Sequence, residues 1–170
     1  MKKVLILAAV VGLTAGNVAA MGEATSMQMG AGTPAKAGEH FAFGHPGPGS
    51  GPVHVIHIQV LDTLRFEPAR IVVTRGETVK FVVSNAGKLA HEFVIGDAAV
   101  QAAHEKEMRA MAGMSMQDDV NGISLPPGET RYLVWTFTRD GTVEYACHDP
   151  GHFAAGMVGK IRIQSPSRRG

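Results

Sequence analysis

Short β-prone runs, separated by turn residues, constrain the fold of this chain more than any other feature. Residues 53–61 alternate, with Ile56, Ile58 and Val60 on one face, which is the period-2 pattern of a half-buried strand. Similar runs occupy residues 70–74, 78–84, 92–95, 130–138, 142–147 and 158–163. Helical segments do not alternate with these runs, so the pattern predicts an all-β fold, an antiparallel Greek-key β-sandwich, rather than a parallel α/β sheet.

One region departs from the β pattern. Residues 98–112 are rich in Ala, Glu, Lys and Met, which are good helix formers. A polar loop follows, up to residue 122. We therefore predict one short helix in an insertion at residues 97–122, within a domain at residues 53–164, with a polar tail at 165–170.

The first twenty residues are predicted to be a secretory signal peptide. Lys2 and Lys3 form a basic start, residues 4–16 are apolar, and small residues lead up to a cleavage site after Ala20. The apolar run is too short to span a bilayer, so a membrane anchor is the less favoured alternative. This interpretation places the protein outside the cytoplasm.

Residues 21–52 are dominated by Gly, Ala, Pro and Ser without apolar periodicity, and we expect a flexible tail there. The tail carries Met21, Met27, Met29, His40 and His45.

Removal of the predicted signal peptide, which contains Lys2 and Lys3, lowers the number of basic residues from 16 to 14. Against 15 acidic residues, this gives a net charge of −1. This balance does not provide the concentrated basic face of a nucleic-acid-binding or membrane-surface protein.

The chain has a single cysteine, Cys147, so an internal disulfide is excluded. In an exported protein a lone thiol is an intermolecular partner, an inert buried residue or a metal ligand. Its neighbours favour the last alternative, because His152 and Met157 follow at five-residue intervals in a loop that contains Pro and Gly. A second histidine, His91, lies 56 positions before Cys147 at the start of a predicted strand.

A thiolate, two imidazoles and a weak axial thioether suit copper that alternates between Cu(I) and Cu(II). Zinc is the less favoured metal, since zinc sites rarely use a thioether. Met157 could instead only fill the core, because Met often occupies irregular gaps. His54 and His57 are the alternative upstream histidines, and both are expected to be partly exposed residues of the first strand.

Strand periodicity separates Cys147 from its neighbour His148. Val143, Tyr145 and Cys147 share one face of the strand that precedes the loop, whereas His148 belongs to the other face. If Val143 packs in the core, Cys147 points inward and His148 points away from the metal.

The spacing of these residues resembles that of a known protein family. Cys-x4-His-x4-Met with one upstream His is similar to the cupredoxins, the blue-copper proteins, and the loop length is similar to that of rusticyanins and auracyanins. The resemblance extends over residues 53–164 and includes the upstream pattern Phe66-x-Pro68, Ile71-x-Val73, Gly76-Glu77-x-Val79 and His91-Glu92-Phe93. It implies a type 1 copper site made by His91, Cys147, His152 and Met157. One departure is Glu92, which stands where many cupredoxins have Asn or Ser.

Three classes of function follow from the resemblance: copper handling, one-electron transfer between redox partners, and catalysis. Enzymes on this fold add pairs of histidines for further copper ions, and His-x-His motifs do not occur in this sequence. Among enzymatic activities, the sequence is compatible only with a weak cuprous oxidase activity of one copper centre. The signal peptide, the tail and the Met-rich insertion resemble periplasmic cupredoxins associated with copper tolerance, so copper ions, and a redox or copper-transfer protein, are the expected partners.

The predicted helix also suggests a second Cu(I) site. His104, Met108 and Met111 are spaced i, i+4 and i+7 on one helical face, and Met114 and Met116 follow it. Clustered thioethers suit Cu(I). The alternative is that this face packs on the sandwich, because a core stripe has the same period.

Overall fold

In the computed structural model, residues 41–111 and 118–167 are described. They form two five-stranded sheets packed face to face, with one helix on the outer face of the second sheet. The predicted all-β sandwich is thereby confirmed. In these residues no helix is long and apolar enough to cross a membrane. The predicted signal peptide and the methionines of the tail lie outside the described residues.

The strands of the two sheets are as follows. The first sheet has the order β1 (Gly44–Pro46), β8 (Thr130–Phe137), β5 (Thr78–Asn85), β2 (His54–Leu61) and β3 (Arg65–Glu67). The second has the order β4 (Arg70–Thr74), β10 (Val158–Gln164), β9 (Gly141–Ala146), β6 (His91–Gly96) and β7 (Gly122–Leu125).

The strand pairing is not entirely antiparallel, which corrects the expectation from the sequence. Strand β2 pairs parallel with β5, and β10 pairs parallel with β4. Parallel neighbours need a long connection. The chain from β2 to β5 supplies one, because it passes through β4 in the opposite sheet before it returns.

The N-terminal boundary of the domain also differs from the expectation. Residues 41–46, which lie within the predicted flexible tail, belong to the sandwich: β1 pairs with β8, and Phe43 is buried. The rings of Phe41 and Phe43 lie 5.6 and 5.5 Å from the ring of Trp135. Burial of these aromatic rings stabilises the segment, although its sequence lacks a strand pattern.

An aromatic cluster fills the core between β3 of the first sheet and β6 and β9 of the second. The ring of Phe93 lies 5.2 Å from that of Tyr145, and Phe66 packs edge-on against both rings. On β9 the side chains of Val143 and Tyr145 are buried, and Cys147 follows on the same face. The predicted inward direction of Cys147 is correct.

Helix α1 (Ala98–Ala110) lies in the predicted insertion and packs on β6 and β9. Asp97 caps its N-terminus, since the Asp97 carboxylate accepts hydrogen bonds from the backbone N–H groups of Ala99 and Val100. The buried side chains of Gln101 and Met108 face the sheet. Because α1 covers the outer face of β6, every residue of that strand is buried.

Candidate metal centre

The predicted ligands come from two neighbouring strands and one loop. His91 is the first residue of β6, and Cys147 directly follows β9. These strands pair antiparallel with Val94 opposite Ala146, so the start of β6 lies beside the end of β9. His152 and Met157 lie in the loop from β9 to β10.

The side chains converge around the thiol of Cys147. Its Sγ lies 3.3 Å from Nδ1 of His152 and 3.9 Å from Nδ1 of His91. Ligand atoms of His91, Cys147, His152 and Asp149 all lie within 4.8 Å of one another. This separation is suited to donors around one metal ion, and a thiolate with two imidazoles suits copper.

Backbone hydrogen bonds hold the ligand loop. Residues 149–152 form a turn in which the His152 N–H donates to the carbonyl of Asp149 at 2.9 Å, and Gly151 takes the positive φ of 87° that this turn requires. The Met157 N–H donates to His152 O, and the Cys147 N–H donates to Met157 O. Backbone hydrogen bonds therefore hold the three candidate ligands of the loop in place.

Burial differs among the four predicted ligands. Cys147 and Met157 are fully buried, His91 is 2% exposed, and His152 is only partly buried. Met157 lies in the core directly before β10, where burial is compatible both with an axial ligand and with packing. His152 is the candidate ligand that lies nearest the protein surface.

The buried environment sets the protonation of the ligands. Burial raises the pKa of the Cys147 thiol, although the Glu92 N–H, which donates to Sγ at 3.4 Å, opposes this effect. Burial and the nearby His152 lower the pKa of His91. The metal-free site thus favours a neutral thiol and a neutral His91 imidazole, and metal binding must displace the thiol proton.

Glu92 links the two ligand-bearing segments. Its side chain is 1% exposed, and one carboxylate oxygen accepts a hydrogen bond from the backbone N–H of His148, next to Cys147. The other oxygen lies 3.3 Å from Nε2 of His104 on α1. Burial alone would lower the pKa of His104, but the hydrogen bond to Glu92 and its charge raise it.

His148 points away from the metal centre, as the strand periodicity predicted. Its Nδ1 lies 2.8 Å from Glu105 Oε2, and its Nε2 lies 2.7 Å from Gln101 Oε1. The Gln101 amide group in turn donates to the carbonyls of Val94 and Glu144. Both ring nitrogens of His148 therefore face oxygen acceptors. The ring can donate to both oxygens at once only when it is protonated. Burial opposes this protonation, because it lowers the pKa of His148.

The candidate second-site residues lie in different environments. His104 contacts Glu92, Met108 is 7% exposed, and Met111 is 41% exposed. Met114 and Met116 lie outside the described residues. Packing on the sheet therefore accounts for Met108, and the second Cu(I) site stays a prediction.

The alternative upstream histidines, His54 and His57, are exposed on β2, as expected.

Asp149 is a residue near the thiol that the sequence did not predict as part of the site. Its Oδ2 lies 3.9 Å from Cys147 Sγ. Burial, followed by the charge of Glu92, raises the pKa of Asp149. The signal available in the sequence was an acidic residue two positions after the cysteine.

Known proteins are similar to this chain in sequence and in fold. Residues 54–164 match the family described as copper binding proteins, plastocyanin/azurin family. The chain is 44% identical over 122 residues to the "Copper-resistant cuproprotein CopI" of Rubrivivax gelatinosus, covering 72% of this chain and 73% of that protein. It is 38% identical over 151 residues to the protein of the same name from Pseudomonas aeruginosa, covering 72% and 83%. The reduced auracyanin of Roseiflexus castenholzii superposes with a TM-score of 0.58 at 25% identity, covering 68% of this chain and all of that one.

Proposed function

Because this chain belongs to the plastocyanin/azurin family of copper-binding proteins, we propose that it is a periplasmic type 1 copper protein used in copper handling and tolerance. It holds one copper ion, which cycles between Cu(II) and Cu(I). The proposed ligands are His91, Cys147, His152 and Met157.

The convergence of one thiol and two imidazoles supports this proposal most directly. A soft thiolate stabilises Cu(I), the imidazoles also suit Cu(II), and a loop fixed by its own hydrogen bonds keeps the ligands in place for both states. The residues of the chain thus orient the ligands, exclude water around Cys147 and Met157, and leave His152 at the surface.

Two features favour tolerance over simple electron transfer. The relatives are named as copper-resistant cuproproteins. In addition, seven of the nine methionines lie neither at the start of the chain nor in the ligand loop, namely Met21, Met27, Met29, Met108, Met111, Met114 and Met116. Met108 is buried against the sheet, whereas Met111 is 41% exposed, and accessible thioethers suit the capture of Cu(I).

A soluble electron carrier is the second candidate, and the surface around His152 favours it. Ala154, Ala155 and Gly156 are exposed beside this ligand, whereas Phe153 stacks on His148 with ring centroids 4.5 Å apart. A small apolar surface next to a copper ligand suits transient docking of a redox partner. A weak cuprous oxidase activity would use the same centre.

Growth on copper distinguishes the two candidates. We expect a deletion strain of the host to stop growing at a lower copper concentration than the parent strain, and a plasmid with the intact gene to restore growth. A Cys147→Ser gene, expressed at the same level, should not restore it. Equal copper sensitivity of the deletion and parent strains would reject the role in tolerance and favour the electron carrier.

The role of Met157 is tested by Met157→Leu, which keeps the volume and removes the sulfur. Copper should stay bound, and the reduction potential should rise, because a weak axial donor that favours Cu(II) is lost. Protein-film voltammetry measures the potential, and absorption spectra confirm copper loading. An unchanged potential and spectrum would assign Met157 to packing alone.

The second Cu(I) site is tested in a Cys147→Ser protein, which lacks the thiolate ligand of the first site. We expect it to bind one Cu(I) in anaerobic competition with a chelator, and to lose this ion when Met108, Met111, Met114 and Met116 are all changed to Leu. An Arg109→Ala variant is the control, since its side chain is 74% exposed on the same helix. If the Cys147→Ser protein binds no Cu(I), the second site does not exist and the electron-carrier function gains support.

A further inference from the structure

Asp149 has an unusual environment for a carboxylate. It is half-buried, and its Oδ2 lies 3.9 Å from Cys147 Sγ. Within residues 41–111 and 118–167, Asp149 forms no ion pair with Lys or Arg, and the Cys147 thiol is the one hydrogen-bonding partner of its carboxylate. A half-buried carboxylate without a Lys or Arg partner is costly to ionise, so its presence requires an explanation.

A structural role in the turn does not provide that explanation. Asp at the first position of a turn usually accepts a hydrogen bond from a backbone N–H two residues further on. Here the His152 N–H donates to the carbonyl oxygen of Asp149, and in the described residues the carboxylate itself receives no backbone N–H. The turn therefore needs the backbone of residue 149 but not its side chain.

The position of the carboxylate does fit a metal donor. One of its oxygens lies within 4.8 Å of the ligand atoms of His91, Cys147 and His152, which are themselves within this distance of one another. When the Cys147 thiol loses its proton to bind a metal, the thiolate and the carboxylate become two anions side by side. A bound cation is then the group that removes their repulsion.

We propose that Asp149 is an oxygen ligand of the copper centre and favours Cu(II) over Cu(I). This inference rests on the copper site of the proposed function. A thiolate and a carboxylate together balance the charge of Cu(II), whereas Cu(I) leaves one uncompensated negative charge in a largely buried site. A carboxylate oxygen is also a hard donor, which suits Cu(II) better than Cu(I).

The Asp149→Asn variant tests this assignment, because it keeps the size of the side chain and removes its charge. In the copper-loaded protein we expect the charge-transfer band and the copper hyperfine splitting in electron paramagnetic resonance to change. The ratio of Cu(I) to Cu(II) affinity should increase by about tenfold or more, since an anion at the metal is lost. The reduction potential should rise accordingly.

Asp62→Asn is the matched control. Its carboxylate lies 3.9 Å from Nε2 of His91, on the outer side of that ligand, and accepts the backbone N–H groups of Lys88 and Leu89. Loss of this charge should raise the potential without changing the hyperfine splitting. If Asp149→Asn gives this same pattern, or changes nothing, Asp149 is not a ligand.

X-ray absorption at the copper edge provides a second measurement, and its result on the unmodified protein does not depend on how well a variant folds. The unmodified Cu(II) protein should show one nitrogen or oxygen donor more than the two imidazoles, and Asp149→Asn should lack it. A spectrum of the unmodified protein with only two such donors would overturn the inference while the copper site stands. Absence of a thiolate-to-copper band in the unmodified protein would overturn both proposals.

Discussion

Replacement of Cys147 by serine is expected to abolish the visible thiolate-to-copper charge-transfer band and to leave the sandwich folded. The band requires the sulfur, and this chain contains no other cysteine that could supply it. The fold should survive because the loop is held by backbone hydrogen bonds from Cys147, His152 and Met157. The serine hydroxyl can still accept the Glu92 N–H that now donates to Sγ, so we expect a cost of about 1–2 kcal/mol.

Absorption of the copper-loaded protein and circular dichroism of the metal-free protein measure the two parts of this expectation. His148→Gln is a suitable control, since His148 is the adjacent residue and its ring faces Gln101 and Glu105 on α1. This control should keep the band. A Cys147→Ser protein with the full band would show that another group makes the chromophore, and the proposed copper site would be wrong.

Local sequence patterns predict the strands well when one face of the strand is buried. The alternation in residues 53–61 correctly places Ile58 and Val60 in the core. The predicted helix over residues 98–112 corresponds to α1, which ends at Ala110. Strand pairing could not be predicted from these patterns. The parallel pairs β2–β5 and β4–β10 depend on contacts between distant parts of the chain, which local periodicity does not encode.

The elements that were missed are short or lack a β pattern. Strand β1 has the sequence Gly-His-Pro and is held by the contacts of Phe41 and Phe43 with Trp135 rather than by its own propensity. Strands β3 and β7 have three and four residues, which is too short for an alternation to be recognised. Tertiary packing decides all three.

The spacing of Cys147, His152 and Met157 makes the candidate site recognisable in the sequence because these three proposed ligands lie in one loop. The contacts of Glu92 could not be predicted in the same way, since they join β6, the loop and α1. Asp149 was hidden because Asp before Pro-Gly is typical of a turn. Only the three-dimensional structure shows that its carboxylate lies beside the thiol and not on the turn backbone.

Gly159→Ala is expected to destabilise the protein by about 3 kcal/mol, because an added methyl group overpacks the core. Gly159 lies opposite Tyr145 in the β9–β10 pair, and a Cβ at this position would overlap the ring and hydroxyl of Tyr145. The ring cannot easily move, since it packs against Phe66 and Phe93 with centroids 5.2 Å away in each case, and its hydroxyl donates to Pro68 O.

Urea unfolding of the metal-free protein measures this effect, with Gly49→Ala as the control. Gly49 is exposed and a Cβ there meets nothing within 4 Å, so its variant should stay within about 0.5 kcal/mol of the parent protein. A Tyr145→Leu background should make Gly159→Ala less harmful, since the smaller side chain leaves room for the methyl group. Because Tyr145 lies two residues before Cys147 on the same face of the chain, the copper-loaded Gly159→Ala protein should also show a shifted charge-transfer band. Equal stability of Gly159→Ala and Gly49→Ala would mean that β10 can move away from Tyr145, and that the core beneath the copper site is less tightly packed than these contacts indicate.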